Sequence, residues 1–154
     1  MAEATSISVS RTIDAPAKDI FDVLSNPERH REFDGSGQIV SDDRTNRIQA
    51  VGDVFTMNMN APHMGGDYKT ENHVTGFGQD KILAWQTAPA GQEPAGWEWV
   101  WELDSTGPDS TDVTLTYDWS KVDAATAKKV SFPLIPREAL EESLKMLAGA
   151  VSGA

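Results

Sequence analysis

Cysteine is missing from the 154 residues of the chain, which excludes a disulfide framework, a thiol nucleophile and any cysteine-held zinc or iron–sulfur centre. There is no apolar run approaching the roughly 18 residues that a spanning helix needs. The opening, Met1-Ala2-Glu3-Ala4-Thr5-Ser6, has neither the basic nor the apolar stretch of a signal peptide. A cytoplasmic location without stable membrane insertion is expected. Basic residues are scarce, with 13 Lys and Arg against 24 Asp and Glu and a net charge of -11. Such a chain repels a phosphate backbone, so nucleic acid is not an expected partner. Histidine is scarce as well. His30, His63 and His73 include no His-x-x-x-His pair that would put two imidazoles on one helix face, and neither a metal nor another cofactor is expected. Phosphate loops, GxGxxG turns and a Ser-His-Asp pattern are likewise missing, which removes the basic parts of kinase, dinucleotide and serine-hydrolase chemistry.

What remains is an ordinary globular composition, 39% hydrophobic and 24% charged, at a length that suits one core and one domain over 1–154. From Thr5 to Ile13 the apolar Ile7, Val9 and Ile13 alternate with Ser and Thr, the pattern of a strand with one dry face. Asp14-Ala15-Pro16 follows, with Asp14 or Ala15 as the expected cap and Pro16 near the first helical position. A helix is then predicted, with Ile20, Phe21, Val23 and Leu24 on its apolar side, ended by Asn26-Pro27 because the residue before proline avoids the helical region. A second short helix is predicted over Pro27 to Phe33.

Beyond Gly37 the period changes to two, with strands predicted at Gln38–Asp43, Val54–Met59, Tyr68–Phe77, Lys81–Thr87, Trp97–Leu103 and Asp112–Trp119. Their links are too short for parallel crossovers, so neighbours must be antiparallel. Ala124 to Val130 reads as a short helix, and Phe132, Pro133 and Ile135 as a packed connection. After Pro136, Leu140, Leu144, Leu147 and Val151 recur on one face of a long closing helix. The expected class is α+β, a curved antiparallel sheet of about seven strands around that helix.

Local sequence supports a family likeness. Ile13-Asp14-Ala15-Pro16 followed by Ile20-Phe21 and Leu24, the stretch Asn26-Pro27-Glu28-Arg29-His30-Arg31-Glu32-Phe33-Asp34-Gly35, and the pieces Asn72-His73-Val74-Thr75-Gly76-Phe77 and Ile82-Leu83-Ala84-Trp85 resemble the SRPBCC superfamily (START and Bet v 1-like proteins), particularly its polyketide cyclase/dehydrase-like branch. The resemblance implies a helix-grip fold with a ligand space between sheet and long helix. It does not imply one function, because the superfamily holds lipid carriers, hormone receptors, cyclases and chaperone activators.

An apolar pocket needs adaptable walls and a few polar groups. Phe55, Met57, Met59, Trp85, Trp97, Trp99, Trp101, Tyr117, Trp119 and Leu144 are the expected walls. Asn72, with Thr70 and Tyr117, is the expected source of polar contacts. His63 is a weak catalytic candidate because it lies in the Gly-rich stretch Asn60–Asp67; His30 and His73 rank lower, since single histidines are more often surface residues than general bases. The leading reading is a domain, monomer or homodimer, that binds or carries an apolar or amphipathic small molecule such as a lipid, polyketide or aromatic metabolite. The alternatives are a polyketide cyclase or dehydratase using the same cavity, and a protein-binding module like the Hsp90 activators using the outer sheet face, where Glu98, Glu102, Asp112 and Asp118 lie.

Overall fold

The computed structural model describes residues 5–35, 37–43, 46–122, 124–129 and 135–152. Strand β1 (Ser6–Ile13) leads into α1 (Ala17–Leu24) and a 3₁₀ helix (Pro27–Phe33). Strands β2 (Ile39–Asp42), β3 (Val54–Ala61), β4 (Gly66–Gly78), β5 (Ile82–Pro89), β6 (Glu98–Gly107) and β7 (Ser110–Asp118) follow, then α2 (Ala124–Lys129) and α3 (Arg137–Ser152). Phe132 and Pro133 lie outside the described residues. The order across the sheet is β1-β7-β6-β5-β4-β3-β2, and every neighbouring pair is antiparallel. A meander of six strands thus receives β1 against its last strand, as expected of the helix-grip fold.

One helix start differs from expectation. The N-cap of α1 is Pro16 itself, not Asp14 or Ala15, and no side chain caps it. Its extended backbone, φ -64° and ψ 146°, suits a cap, and its carbonyl accepts the N–H of Ile20. The 3₁₀ helix is capped conventionally, with Asn26 Oδ1 accepting the N–H of Glu28 at 3.2 Å.

The sheet has one dry face. Val9, Ile13, Phe55, Met57, Val74, Leu83, Trp101, Leu103, Val113, Leu115 and Tyr117 share a core with Ile20, Phe21 and Leu24 of α1 and Leu140, Leu144 and Leu147 of α3. The wet face is tied by hydroxyls and carboxylates, including Ser8 to Thr116 at 2.8 Å, Ser10 to Thr114 at 3.0 Å and Thr12 to Asp112 Oδ1 at 2.6 Å. Between Val74 and Gly76 the β4–β5 register shifts. The extra residue reverses the alternation of β4, so Phe77 turns inward and meets Phe21 edge-on at 5.5 Å.

Helix α3 docks on β1, α1 and the 3₁₀ helix. Gly35 comes against its backbone and donates its N–H to Ser143 Oγ at 2.8 Å. At the far end Arg29 Nη2 donates to the carbonyl of Ala150 at 2.9 Å, satisfying an acceptor that the helix terminus leaves open.

Candidate functional site

All five tryptophans sit on the dry face or at its rim, because strand alternation places Trp97, Trp99 and Trp101 together and the pairings Trp85↔Trp99, Leu83↔Trp101 and Trp99↔Tyr117 align the strands. Along this face burial is uneven. Ile13, Leu103, Val113 and Phe55 toward one end are closed off from solvent, whereas Ile7, Met59, Trp97, Trp99 and Trp119 toward the opposite end are half-buried around the buried Tyr117 and Ala61. Within the half-open part Trp99 stacks on Tyr117 with ring centres 4.4 Å apart, and Tyr117 meets Trp119 at 5.2 Å. The arrangement is an aromatic shelf with a solvent side and a dry side.

Of the expected site residues, Met59, Trp97, Trp99 and Trp119 therefore line the half-open end. Phe55, Met57, Trp85, Trp101, Tyr117 and Leu144 are buried in the core behind it. Thr70 and Asn72 point inward and are buried too. Asn72 is satisfied within the protein, since its Nδ2 donates to the carbonyl of Phe55 at 3.2 Å and its Oδ1 accepts from Thr87 Oγ1 at 2.7 Å. His63 sits on the 3₁₀ turn Pro62–Met64, and its side chain falls outside the described residues. Pairing of β3 with β4 continues through Asn60↔Asp67 and Ala61↔Gly66, which shortens the expected Gly-rich loop to a tight turn with Gly65 at φ 84°.

His30 departs from the surface position usual for a single histidine. His30 is 2% exposed and lies among Trp85, Phe55 and Phe33 at ring-centre distances of 5.2, 5.1 and 5.1 Å. Its Nε2–H donates to the carbonyl of Leu24 at 2.7 Å. Burial pushes its pKa down from the usual 6.5 to about 4, opposed by the hydrogen bond to Leu24 and by the charges of Asp34 and Asp42. At neutral pH it is an uncharged wall residue. Its signal in the sequence was the three-residue spacing Pro27, His30, Phe33, which a 3₁₀ helix eclipses on one face. All three are buried.

A second feature was not legible in the sequence. Among the described residues, Trp101 Nε1 and His73 Nε2 are the buried side-chain polar atoms without a hydrogen-bond partner. His73 alternates with Asn72 and so belongs to the other side of β4, whereas Trp101 is in the core of the dry face. An unpaired buried donor costs about 1–3 kcal/mol. The outer side carries an open groove of about 510 Å³ bordered by Ser10, Thr12, Lys81, Glu102, Asp104 and Asp112. Its mixed charges do not suit an apolar ligand. Among the described residues there is no group of three or more His, Asp or Glu able to hold a metal, and no helix is long and apolar enough to cross a membrane.

Comparison with solved structures supports the fold. A protein from Nitrosomonas europaea superposes with a TM-score of 0.70 at 16% identity, over 97% of this chain and 95% of that one. A START superfamily protein from Mycobacterium smegmatis gives 0.61 at 19% identity, over 96% and 97%. The Aha1 dimer from Colwellia psychrerythraea gives 0.58 at 21% identity, over 96% of each chain. An uncharacterized protein of Mycobacterium tuberculosis strain H37Rv is 33% identical over 113 residues, which are 72% of this chain and 47% of that protein. The chain thus spans about half the length of the curated relatives it matches. The family model of the Activator of Hsp90 ATPase homolog 1-like proteins matches residues 14–152. With that match over most of its length, the chain belongs to the Activator of Hsp90 ATPase homolog 1-like family.

Proposed function

We propose that the domain binds an apolar or amphipathic small molecule on the dry face of its sheet, and serves as a carrier or sensor of it. The observation that carries this reading is the half-open shelf of Trp97, Trp99, Trp119 and Met59. Large aromatic rings that a closed core would cover completely are here left with a solvent side at one end of the sheet. Rings of this kind supply area with little loss of side-chain freedom, and Met adapts to irregular shapes. A cyclase or dehydratase would use the same face, but the imidazole that the structure places there, His30, is held by Leu24 and sealed from solvent.

Titration with a neutral naphthalene probe is expected to quench tryptophan emission saturably, with one ligand per chain. The binding should persist in molar salt because it rests on burial and not on charge. Trp99→Phe should weaken the binding several-fold while costing only about 1 kcal/mol of stability, the scale of an aromatic pair. If probes of varied size change neither the emission nor the melting temperature, the ligand reading fails.

A second reading draws on the family match, that the domain engages an Hsp90 chaperone through its outer face. Stimulation of a purified Hsp90 ATPase that is insensitive to the naphthalene probe would favour it over ligand carriage.

A further inference from the structure

We propose that the ligand of the dry face carries a neutral hydrogen-bond acceptor, a carbonyl or ether oxygen, which the indole N–H of Trp101 takes. This rests on the reading of that face as a ligand site and specifies which molecules it admits. Trp101 is 4% exposed and its Nε1 has no partner among the described residues. A buried indole N–H ordinarily finds one. Its cross-strand neighbours, Leu83 and Leu115, are apolar, and Phe33 meets it edge-on at 5.5 Å. A phenylalanine would fill that setting without an unused donor.

Two other buried polar groups of the face are engaged within the protein. Asn72 is held by Phe55 and Thr87, and His30 Nε2 by Leu24. Trp101 Nε1 is the buried side-chain donor of this face without a partner among the described residues. It stands two positions from Trp99 on the same side of β6, about 7 Å along the strand. A molecule whose body lies on the half-open shelf would reach it with its inner end. The acceptor is assigned as neutral because a carboxylate in this apolar setting would be an unpaired buried charge, which is far costlier than a carbonyl. The admitted class is thus a ketone, ester or ether with an apolar or aromatic body, and a free fatty acid is disfavoured.

The test uses two probes of nearly equal shape, 2-acetylnaphthalene and 2-ethylnaphthalene, titrated into the full chain and into Trp101→Phe. The wild-type protein should bind the ketone about tenfold more tightly than the hydrocarbon. In the variant that preference should vanish through loss of ketone affinity, with the hydrocarbon changed less than threefold. Should Trp101→Phe fold poorly, the indole N–H resonance of Trp101 in the wild-type protein provides the same test. It should move downfield with the ketone and not with the hydrocarbon. Equal binding of both probes by the wild-type protein, or a preference that survives in the variant, overturns the assignment while leaving the ligand site standing. So does an indole signal already downfield without ligand, which would place a buried water on the N–H. If neither probe binds, the ligand reading itself is overturned, and this proposal with it.

Discussion

Replacing Gly35 by Ala is expected to destabilise the protein by more than about 3 kcal/mol, by the cost of forcing volume into a packed contact. A Cβ at this position would lie 2.0 Å from the carbonyl oxygen of Ala139, 2.8 Å from Ser143 Oγ and 2.9 Å from Ser143 N. Two of these three are backbone atoms of α3, and the Ala139 carbonyl lies within the helical turn that ends at Ser143. They cannot swing aside as a side chain would, so the helix must withdraw along the face that carries Leu140, Leu144 and Leu147. Withdrawal would also stretch the bond from Gly35 N–H to Ser143 Oγ. For a chain of this size the loss corresponds to a fall in Tm of about 6–12 °C or more. Gly149→Ala on the same helix is the matched control, because nothing lies within 4 Å of its added Cβ and alanine favours a helix interior by up to about 1 kcal/mol. Thermal unfolding of the pair should therefore shift in opposite directions. A Gly35→Ala protein melting within a degree or two of the wild type would show that α3 does not dock this closely.

Acidification should remove about 3 kcal/mol of stability through His30 alone, from the linkage between a protonation shift and folding. The folded pKa is depressed to about 4 against an ordinary value of 6.5. Above 6.5 the imidazole is neutral in both states and the contribution is complete. Between 6.5 and 4 the unfolded chain takes up a proton that the folded one refuses, so stability falls as the pH falls. Below 4 both states are protonated and His30 adds no further loss. Carboxylates titrate in part of the same window, so the measurement is the difference between wild type and His30→Phe in denaturant unfolding at a series of pH values. The wild-type curve should drop relative to the variant by up to about 1.4 kcal/mol per pH unit across the window. Parallel curves for the two proteins from pH 6.5 to pH 4 would rule out a buried neutral imidazole at this position.

Most of the strands were legible because a sheet with one dry face imposes a period of two on each strand separately. Trp97, Trp99 and Trp101, and likewise Val113, Leu115 and Tyr117, could be assigned to one side without knowing what they touch. The side faced by Thr70 and Asn72 was less clear, since β4 changes phase at the bulge between Val74 and Gly76. A pattern that reverses midway supports neither face when read as a whole. His30 was misjudged for a related reason. Its segment is polar in composition, Pro-Glu-Arg-His-Arg-Glu-Phe, and only the three-residue period of a 3₁₀ helix brings Pro27, His30 and Phe33 onto the same buried side.

The sequence by itself determined the order of elements, the antiparallel meander and the dry and wet faces, because these follow from local periodicity and turn length, which neighbouring residues decide among themselves. The tertiary structure alone decided that Trp97, Trp99 and Trp119 stay half-buried, that His30 is sealed and neutral, that Gly35 meets the backbone of α3, and that the buried Trp101 Nε1 has no partner among the described residues. Each of these depends on the distance between groups remote in the chain. The hydrogen bond joining Gly35 to Ser143 spans 108 residues, and whether the buried N–H of Trp101 meets an acceptor among the described residues is decided by neighbours on β5, β7 and the 3₁₀ helix. No local pattern encodes such a distance, since it arises only when the sheet closes over its helices and excludes water from the space between them.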